Sequence, residues 1–506
     1  MEPAKRMIAN TGIQYVKAII TTCFSFYATR LVLDVLNVSD YGIYTAIAGV
    51  VAMLGFITNS LLITTQRFLS FHQQDATSGI LRKIFVNSLF IHEVFGFLLA
   101  AILILLEAFL FNQVLNIDAD RVETAKDVYL LTVLMLFVTI ITAPFKALFI
   151  AHENITFIAV VEIVDSILKL VLALILPFVT LDRLWVYVLV LTLILCLNLL
   201  VFAVYGLLRY SECTLLVSRS AIDRVFIRKM TGFASWTTYG MGCVAARNQG
   251  TAVVLNHFWG TAVNAAYGLA FQVNGAISFL VVSILNAMNP QLMRAEGACE
   301  REKMLRMAAR QSKFSVAILA IFLIPLIVEM PAALAIWLKD VPPYTSMFCR
   351  FVLLTFLLDQ ITLGLSSANQ AIGDIRNFTL LTYTPKMLYL PAIWLMFECG
   401  CSVRSVMVLY VLVELVVALS RIPFMKYKAG LHVWGYLTTV VFPVTLQCAA
   451  TWFVCWLVVE SVDIPFRFLL TMGVAALTGL LGTWLFVLDH DERMYARVLL
   501  SKLMKV

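Results

Sequence analysis

Runs of eighteen or more apolar residues recur from end to end of this chain, each long enough to cross about 30 Å of hydrocarbon as a helix. In lipid only helices and closed barrels satisfy their own backbone polar groups, and barrel strands alternate polar with apolar residues. The runs here do not alternate, and charged residues make up only 13% of the 506. They imply an all-α polytopic membrane protein with about fourteen transmembrane helices and no soluble domain. The spans fall near 12–34, 43–66, 84–111, 127–150, 155–179, 184–207, 230–255, 261–288, 314–338, 346–371, 377–397, 403–424, 433–456 and 464–488. The first follows Glu2, Lys5 and Arg6 and is too long for a cleaved signal, so it is expected to be retained.

Loop charge supplies an orientation. With the N-terminus inside, one side collects Arg82, Lys83, Arg209, Arg219, Arg224, Arg228, Lys229, the stretch Arg294 to Lys313, Arg421, Lys426, Lys428 and the stretch Arg493 to Lys505. The opposite loops carry Asp40, Asp118, Asp120, Glu123, Glu398, Glu460 and Asp463 with few cations. Lys and Arg accumulate in cytoplasmic loops, so both termini are expected in the cytoplasm. Between Gln291 and Lys313, Glu302 stands four residues before Arg306, while Met304, Leu305, Met307 and Ala308 give an apolar side. That pattern reads as a surface helix on the inner leaflet. The stretch Leu36 to Tyr44 after the first span faintly matches Phe258 to Ala266 after the seventh, which fits two parallel six-helix bundles around a central cavity. The division expected is an N-terminal bundle at 1–208, a cytoplasmic linker at 209–229, a C-terminal bundle at 230–424, and two further helices with a cytoplasmic tail at 425–506.

Ionisable residues at membrane depth are costly and mark function by default. Here they are Lys17 and Arg30 in the first span, Glu93 in the third, Glu162, Asp165 and Lys169 in the fifth, Arg247 in the seventh, Asp359 in the tenth, Lys386 in the eleventh and Glu414 in the twelfth. The last two spans have none at depth, Arg467 standing only three residues inside the edge of the last, as expected of plain helices added at a rim. Glu162, Asp165 and Lys169 share one helix face, which either looks inward or neutralises itself as an intrahelical pair. Lys17 and Arg30 either line a polar path or snorkel toward head groups. Asp359 and Lys386 either pair across adjacent helices or line a cavity, the latter favoured by Pro385 and Pro391, which are expected to break their span. Arg247 is the strongest single candidate, because Gly232, Gly240, Gly242 and Gly250 loosen its span and Asn248 and Gln249 flank it. A buried cation in such a span calls for a watery cavity, and so for a transporter.

Enzymatic signatures are missing. The chain has no Gly-x-x-x-x-Gly-Lys-Ser/Thr loop, no His-Glu-x-x-His and no Cys-x-x-Cys, so neither ATP hydrolysis nor a bound metal is expected. The triplets Asp118-Ala-Asp120 and Asp489-His-Asp491 would suit a divalent ion in a sugar transferase, but solvated surface charge is the ordinary explanation. Cys399-Gly-Cys401, in a turn, is read as two unrelated small residues in preference to a strained disulfide.

Thr231-Gly-Phe-Ala-Ser-Trp236, Val254-Leu-Asn-His-Phe-Trp-Gly260, Val263-Asn-Ala-Ala-Tyr-Gly268 and Asn289-Pro-Gln291 resemble the polysaccharide-biosynthesis branch of the multidrug/oligosaccharidyl-lipid/polysaccharide exporter (MOP) superfamily. Asp40-Tyr-Gly-Ile-Tyr44 and Thr65-Gln-Arg-Phe-Leu-Ser70 are similar to that family as well. The resemblance implies a Wzx-type flippase of a bacterial inner membrane. Such a protein moves an undecaprenyl-diphosphate-linked oligosaccharide from the cytoplasmic to the periplasmic leaflet by alternating access, for assembly of O-antigen, capsule or exopolysaccharide. It implies two bundles around a cationic lumen, to which Lys17, Arg30, Arg247 and Lys386 would contribute. Glu162, Asp165, Asp359 and Glu414 would be candidates for coupling to Na+ or H+, with no other cofactor. The expected partners are the lipid-linked oligosaccharide, membrane lipids, a polysaccharide polymerase and glycosyltransferases, and no nucleic acid. The alternatives are a cation-coupled multidrug exporter or a lipid II flippase of the same superfamily, and, from another class, a membrane glycosyltransferase.

Overall fold

The computed structural model describes residues 3–73, 79–114, 117, 120–214, 222–338, 340–462, 464, 467–494 and 497. Asp118, Arg219, Asp463 and the tail beyond Arg497 lie outside the described residues. Every regular element among those described is helical. The chain forms two compact units, residues 1–241 with 289–298 and residues 242–288 with 299–506.

The first unit holds α1 (Pro3–Ala52), α2 (Gly55–Phe71), α3 (Ile80–Phe109), α4 (Val122–Ala151), α5 (Ile155–Ile175), α6 (Arg183–Arg209) and both ends of α7 (Arg224–Gly297). α4 is its centre, packed by α2, α3 and α6, while α1 lies along α5. Large rings fill the spaces between them: Phe145 meets Phe85, and Phe149 sits among Phe157, Phe202, Tyr205 and Tyr210. The Tyr129 hydroxyl, fully buried, donates to the Leu103 carbonyl at 2.6 Å, so the polar tip of the ring is satisfied.

The middle of α7 belongs to the second unit, with α8 (Arg301–Val328), α9 (Met330–Trp337), α10 (Thr345–Gln360), α11 (Leu363–Ile372), α12 (Ile375–Glu398), α13 (Val403–Ala429), α14 (Val433–Tyr436), α15 (Phe442–Ser461) and α16 (Arg467–Gly482). α7 is broken at Gly260, whose φ of 81° and ψ of −178° suit glycine alone. That break separates the seventh and eighth expected spans.

Nine helices among the described residues are long and apolar enough to cross a membrane, and α10 with α11, bent by 48°, makes a tenth. The other four expected spans also fall on helices: the end of α1 with α2, α5, the first arm of α7, and α12. Three of these four hold ionisable residues singled out above, which is why apolarity alone under-counts them.

Several local expectations are corrected. Residues 35–42, expected to separate the first two spans, are helical. No proline interrupts them, and α1 runs on until the turn at Met53 and Leu54. Residues 291–313 do not form a separate surface helix. α7 continues through Pro290 to Gly297, α8 starts at Arg301, and Met304 and Ala308 are buried. No breaker stands between Arg301 and Pro325, so the amphipathic turns extend directly into the apolar ones. α12 likewise carries Pro385 and Pro391 without interruption. Cys399 and Cys401 are free thiols, and Gly400 between them adopts φ 76° so that the Cys401 N–H bonds the Met396 carbonyl, a glycine helix stop.

The last two long helices are not loosely attached. Ala320 and Ile324 of α8 pack with Cys455 of α15 and Ala475 of α16, and the buried Gln447 amide donates to the Ala317 and Gly479 carbonyls. Arg467 pairs with the buried Glu329 at 2.8 Å. Lys313, expected in a cytoplasmic basic stretch, is buried and pairs with Asp489 and Glu492 at 3.0 and 2.7 Å. Half of the Asp489-His-Asp491 triplet is thus spent on a structural ion pair.

Arg121, just before α4, fastens three elements: it donates to Asp40 on α1 at 2.8 Å and to Asp182 at 2.5 Å, and Asp182 caps α6 through the Trp185 amide. Burial works to raise the Asp182 carboxyl, but hydrogen bonds from Arg121 and the Trp185 amide prevail and hold it below the ordinary range. A carboxyl held low stabilises the fold above its ordinary pKa and gives that up as pH falls through the lowered value. Arg121→Ala is therefore expected to cost about 1 kcal/mol at neutral pH and to lessen the loss of stability on acidification. A melting series between about pH 7 and pH 3 checks this.

Candidate functional site

In the second unit, helical spacing places Tyr410, Glu414 and Arg421 on one face of α13, and α7, α10 and α12 bring charges to meet it. The Glu414 carboxylate, 1% exposed, accepts from Arg247 Nη1 at 2.8 Å and from Lys386 Nζ at 2.6 Å. Lys386 also lies 3.8 Å from Asp359, which accepts from Arg421 Nη2 at 2.7 Å. Three cations face two carboxylates, a formal excess of one positive charge. The Arg247 guanidinium lies 4.4 Å from the Tyr410 ring centroid. Asp359, with its side chain 26% exposed, is the accessible edge of the network.

Gly250 explains part of the glycine pattern. It stands one turn from Arg247, and a Cβ there would come within 2.7 Å of Leu390 on α12, so its absence lets α12 approach. Gly232, by contrast, faces open space.

The first unit holds a smaller cluster. Glu162 on α5 accepts from Lys17 on α1 at 2.8 Å and from Lys146 on α4 at 3.2 Å. Two cations again face one carboxylate, here with side chains 18–32% exposed. Asp165 pairs with Lys169 within α5 at 2.7 Å and accepts from Asn198. The shared face of Glu162, Asp165 and Lys169 therefore divides: one carboxylate reaches neighbouring helices and the other neutralises its own turn. Asp165 and Lys169 border a cavity of about 380 Å3 whose lining is largely hydroxyl, with Thr21, Ser25, Thr29 and Tyr187. Arg30 is exposed on α1 and makes no ion pair among the described residues.

The predicted residues thus fall into separate groups: Arg247, Lys386, Asp359 and Glu414 together; Lys17 with Glu162; Asp165 apart with Lys169; and Arg30 alone. Sequence reasoning missed Lys146 and counted Arg421, near the end of the twelfth span, among the cytoplasmic loop cations, whereas α13 runs on to Ala429 and buries it. The seven-residue spacing from Glu414 was the signal that would have found Arg421.

Two of the resemblance motifs turn out to meet each other. Arg67 is buried on α2 against the rings of Phe68, Phe71 and Phe233, at 4.8, 4.8 and 5.5 Å. The end of α7 closes on the same region: Arg294 pairs with Glu153 at 3.1 Å and donates to Gln73, while Gln291 also donates to Glu153. Beside it, burial works to raise the Glu212 carboxyl, but the 2.5 Å contact with His152 prevails and holds it low.

No family model matches the chain, and no curated protein matches its sequence. Solved structures do match its fold. A crystal structure of MATE in complex with MaL6 superposes with a TM-score of 0.73 at 12% identity, over 85% of this chain and 97% of that one. An outward-facing multidrug resistance MATE family transporter of the MOP superfamily gives 0.72 at 13% identity, over 87% and 98%. A MOP superfamily transporter from Pyrococcus furiosus, described as having a binding pocket of reverse polarity that suggests a different function, gives 0.72 at 12% identity, over 85% and 96%. The chain has the all-α polytopic fold of these MOP-superfamily transporters.

Proposed function

We propose that this protein is a transporter of anionic amphiphiles, a flippase that carries undecaprenyl-diphosphate-linked oligosaccharides from the cytoplasmic to the periplasmic leaflet by alternating access. The observation that carries this reading is the cation excess found twice, as Lys17 and Lys146 around Glu162 and as Arg247, Lys386 and Arg421 around Glu414 and Asp359. Buried cations are retained at a desolvation cost, and a surplus left by the resident carboxylates suits a substrate that brings its own negative charge. The polarity of the pocket is also what sets one protein of this fold apart from its relatives, by that protein's own description.

Na+ or H+ coupling through Asp359 fits the same reading, since it is the accessible carboxylate of the larger cluster. So does residence in the inner membrane with both termini cytoplasmic, supported by the loop charges. Export of cationic drugs is the second reading, favoured by the multidrug relative of the same fold. It would want a surplus of carboxylates.

Lys17→Gln with Lys146→Gln separates the two. Both lysines are partly exposed, so the fold is expected to survive, with surface polysaccharide in a flippase-deleted host falling at least roughly tenfold, the rate equivalent of about 1.4 kcal/mol. Unchanged polysaccharide at equal protein level, or a drug-susceptibility change in its place, would overturn the reading.

A further inference from the structure

The second unit contains a cavity of about 1030 Å3 formed by α8, α10, α13, α15 and the segment preceding α10. Its wall is apolar along the length of α10, with Phe351, Leu354 and Leu357, and is completed by Ile327 of α8 and Trp452 of α15. At one end stand Arg350 and Arg404, and no carboxylate is among the described lining residues. Both arginines lie near the starts of their helices. α10 and α13 carry the tenth and twelfth expected spans, which cross in the same direction. The two guanidiniums therefore belong to the same end of the cavity, and Leu357 lies about 10 Å deeper.

Arg350 is held in place: its Nε and Nη2 donate to the Ile327 and Val328 carbonyls at the end of α8, at 3.0 and 3.2 Å, which leaves Nη1 available. Arg404 is exposed and makes no ion pair among the described residues. It also sits in the first turn of α13, where the helix dipole disfavours a cation. Among the described residues no carboxylate pairs with it there. The volume is at the upper limit of pockets that take drug-sized ligands, about 300–1,000 Å3, and an apolar slot headed by two unopposed cations matches a molecule with a long hydrocarbon part and an anionic head.

We propose that this cavity is a binding site for one anionic phospholipid of the surrounding bilayer, its phosphate between Arg350 and Arg404 and its acyl chains along α10 and α15. The site is separate from the Glu414 network, so it stands whichever substrate the transporter carries.

The test is native mass spectrometry of the delipidated full-length protein titrated with phosphatidylglycerol or with phosphatidylcholine of the same acyl chains. One phosphatidylglycerol is expected to be retained at least roughly tenfold more tightly, a difference of about 1.4 kcal/mol, and not to be displaced by glycerol 3-phosphate. Arg404→Gln should remove that preference while the lipid-free melting temperature is unchanged, because no partner is lost. Ala449→Trp, from an exposed position on the cavity wall, should weaken both lipids. Equal retention of the two lipids by the parent protein, an unaltered preference in Arg404→Gln, or displacement by glycerol 3-phosphate would each overturn the proposal.

Discussion

Glu414→Ala is expected to remove most of the folded protein from the membrane. Among the described residues Glu414 is the one carboxylate paired with both Arg247 and Lys386, at 2.8 and 2.6 Å, and all three side chains are at most 7% exposed. Without it, two buried cations are left with only Asp359, which is already engaged by Arg421. Breaking a buried ion pair from one side costs about 3–5 kcal/mol, and for a unit of this size the melting temperature should fall by something on the order of 10 °C. Combining Glu414→Leu with Arg247→Met and Lys386→Met removes the charges together and leaves Asp359 and Arg421 paired. Replacing a buried ionic group by apolar residues of similar volume is often neutral or stabilising, so the triple variant should regain its melting temperature. It should still fail to transport, because the positive surplus is gone. Recovery of stability together with transport would mean the network is only architectural.

Gly364→Ala carries the second large effect. α11 crosses α8 so closely that a Cβ on Gly364 would fall far inside van der Waals contact with the Ala308 carbonyl oxygen and within 2.9 Å of Ser312 Oγ. The Ser312 hydroxyl accepts from the Gly364 amide at 2.9 Å and from Tyr436 at 3.0 Å, so separating the helices also breaks these bonds. Overpacking costs about 1–3 kcal/mol where side chains can move. Here the obstacle is backbone, and a loss of at least roughly 3 kcal/mol is expected. Gly268→Ala is the control. It lies on α7 with nothing within 4 Å of the added carbon, and it should gain up to about 1 kcal/mol from helix propensity. Melting of the three proteins in one detergent decides it, and an equal effect of the two substitutions would refute the close-packing argument.

The two-cluster arrangement was only partly legible beforehand. Periodicity and apolar length located the helices, because lipid leaves the backbone few alternatives. The ends were harder: no local signal tells a helix that stops at the membrane surface from one that runs on, and α1, α8 and α13 all run on. That error carried Lys313 into a basic loop, and Arg421, although inside the twelfth span, was counted with the loop cations; both are buried. Charges at membrane depth were found by composition, but of their partners on other helices only Asp359 with Lys386 was named, since Glu162 meets Lys17 across 145 residues and Arg247 meets Glu414 across 167. Helix-face reasoning is blind to such pairs and succeeded only within one helix, at Asp165 and Lys169. In the motif Thr65 to Ser70, Arg67 is buried among aromatic rings.

The preference of the cation surplus for a negatively charged cargo is tested most directly with purified protein in liposomes. A fluorescent short-chain isoprenoid-diphosphate oligosaccharide and a cationic dye are supplied in turn, and movement across the bilayer is followed by quenching of the exposed fluorophore. Transfer of the diphosphate lipid with no transfer of the dye is the predicted result, lost in Lys17→Gln with Lys146→Gln. Transfer of the dye with no transfer of the diphosphate lipid would contradict it.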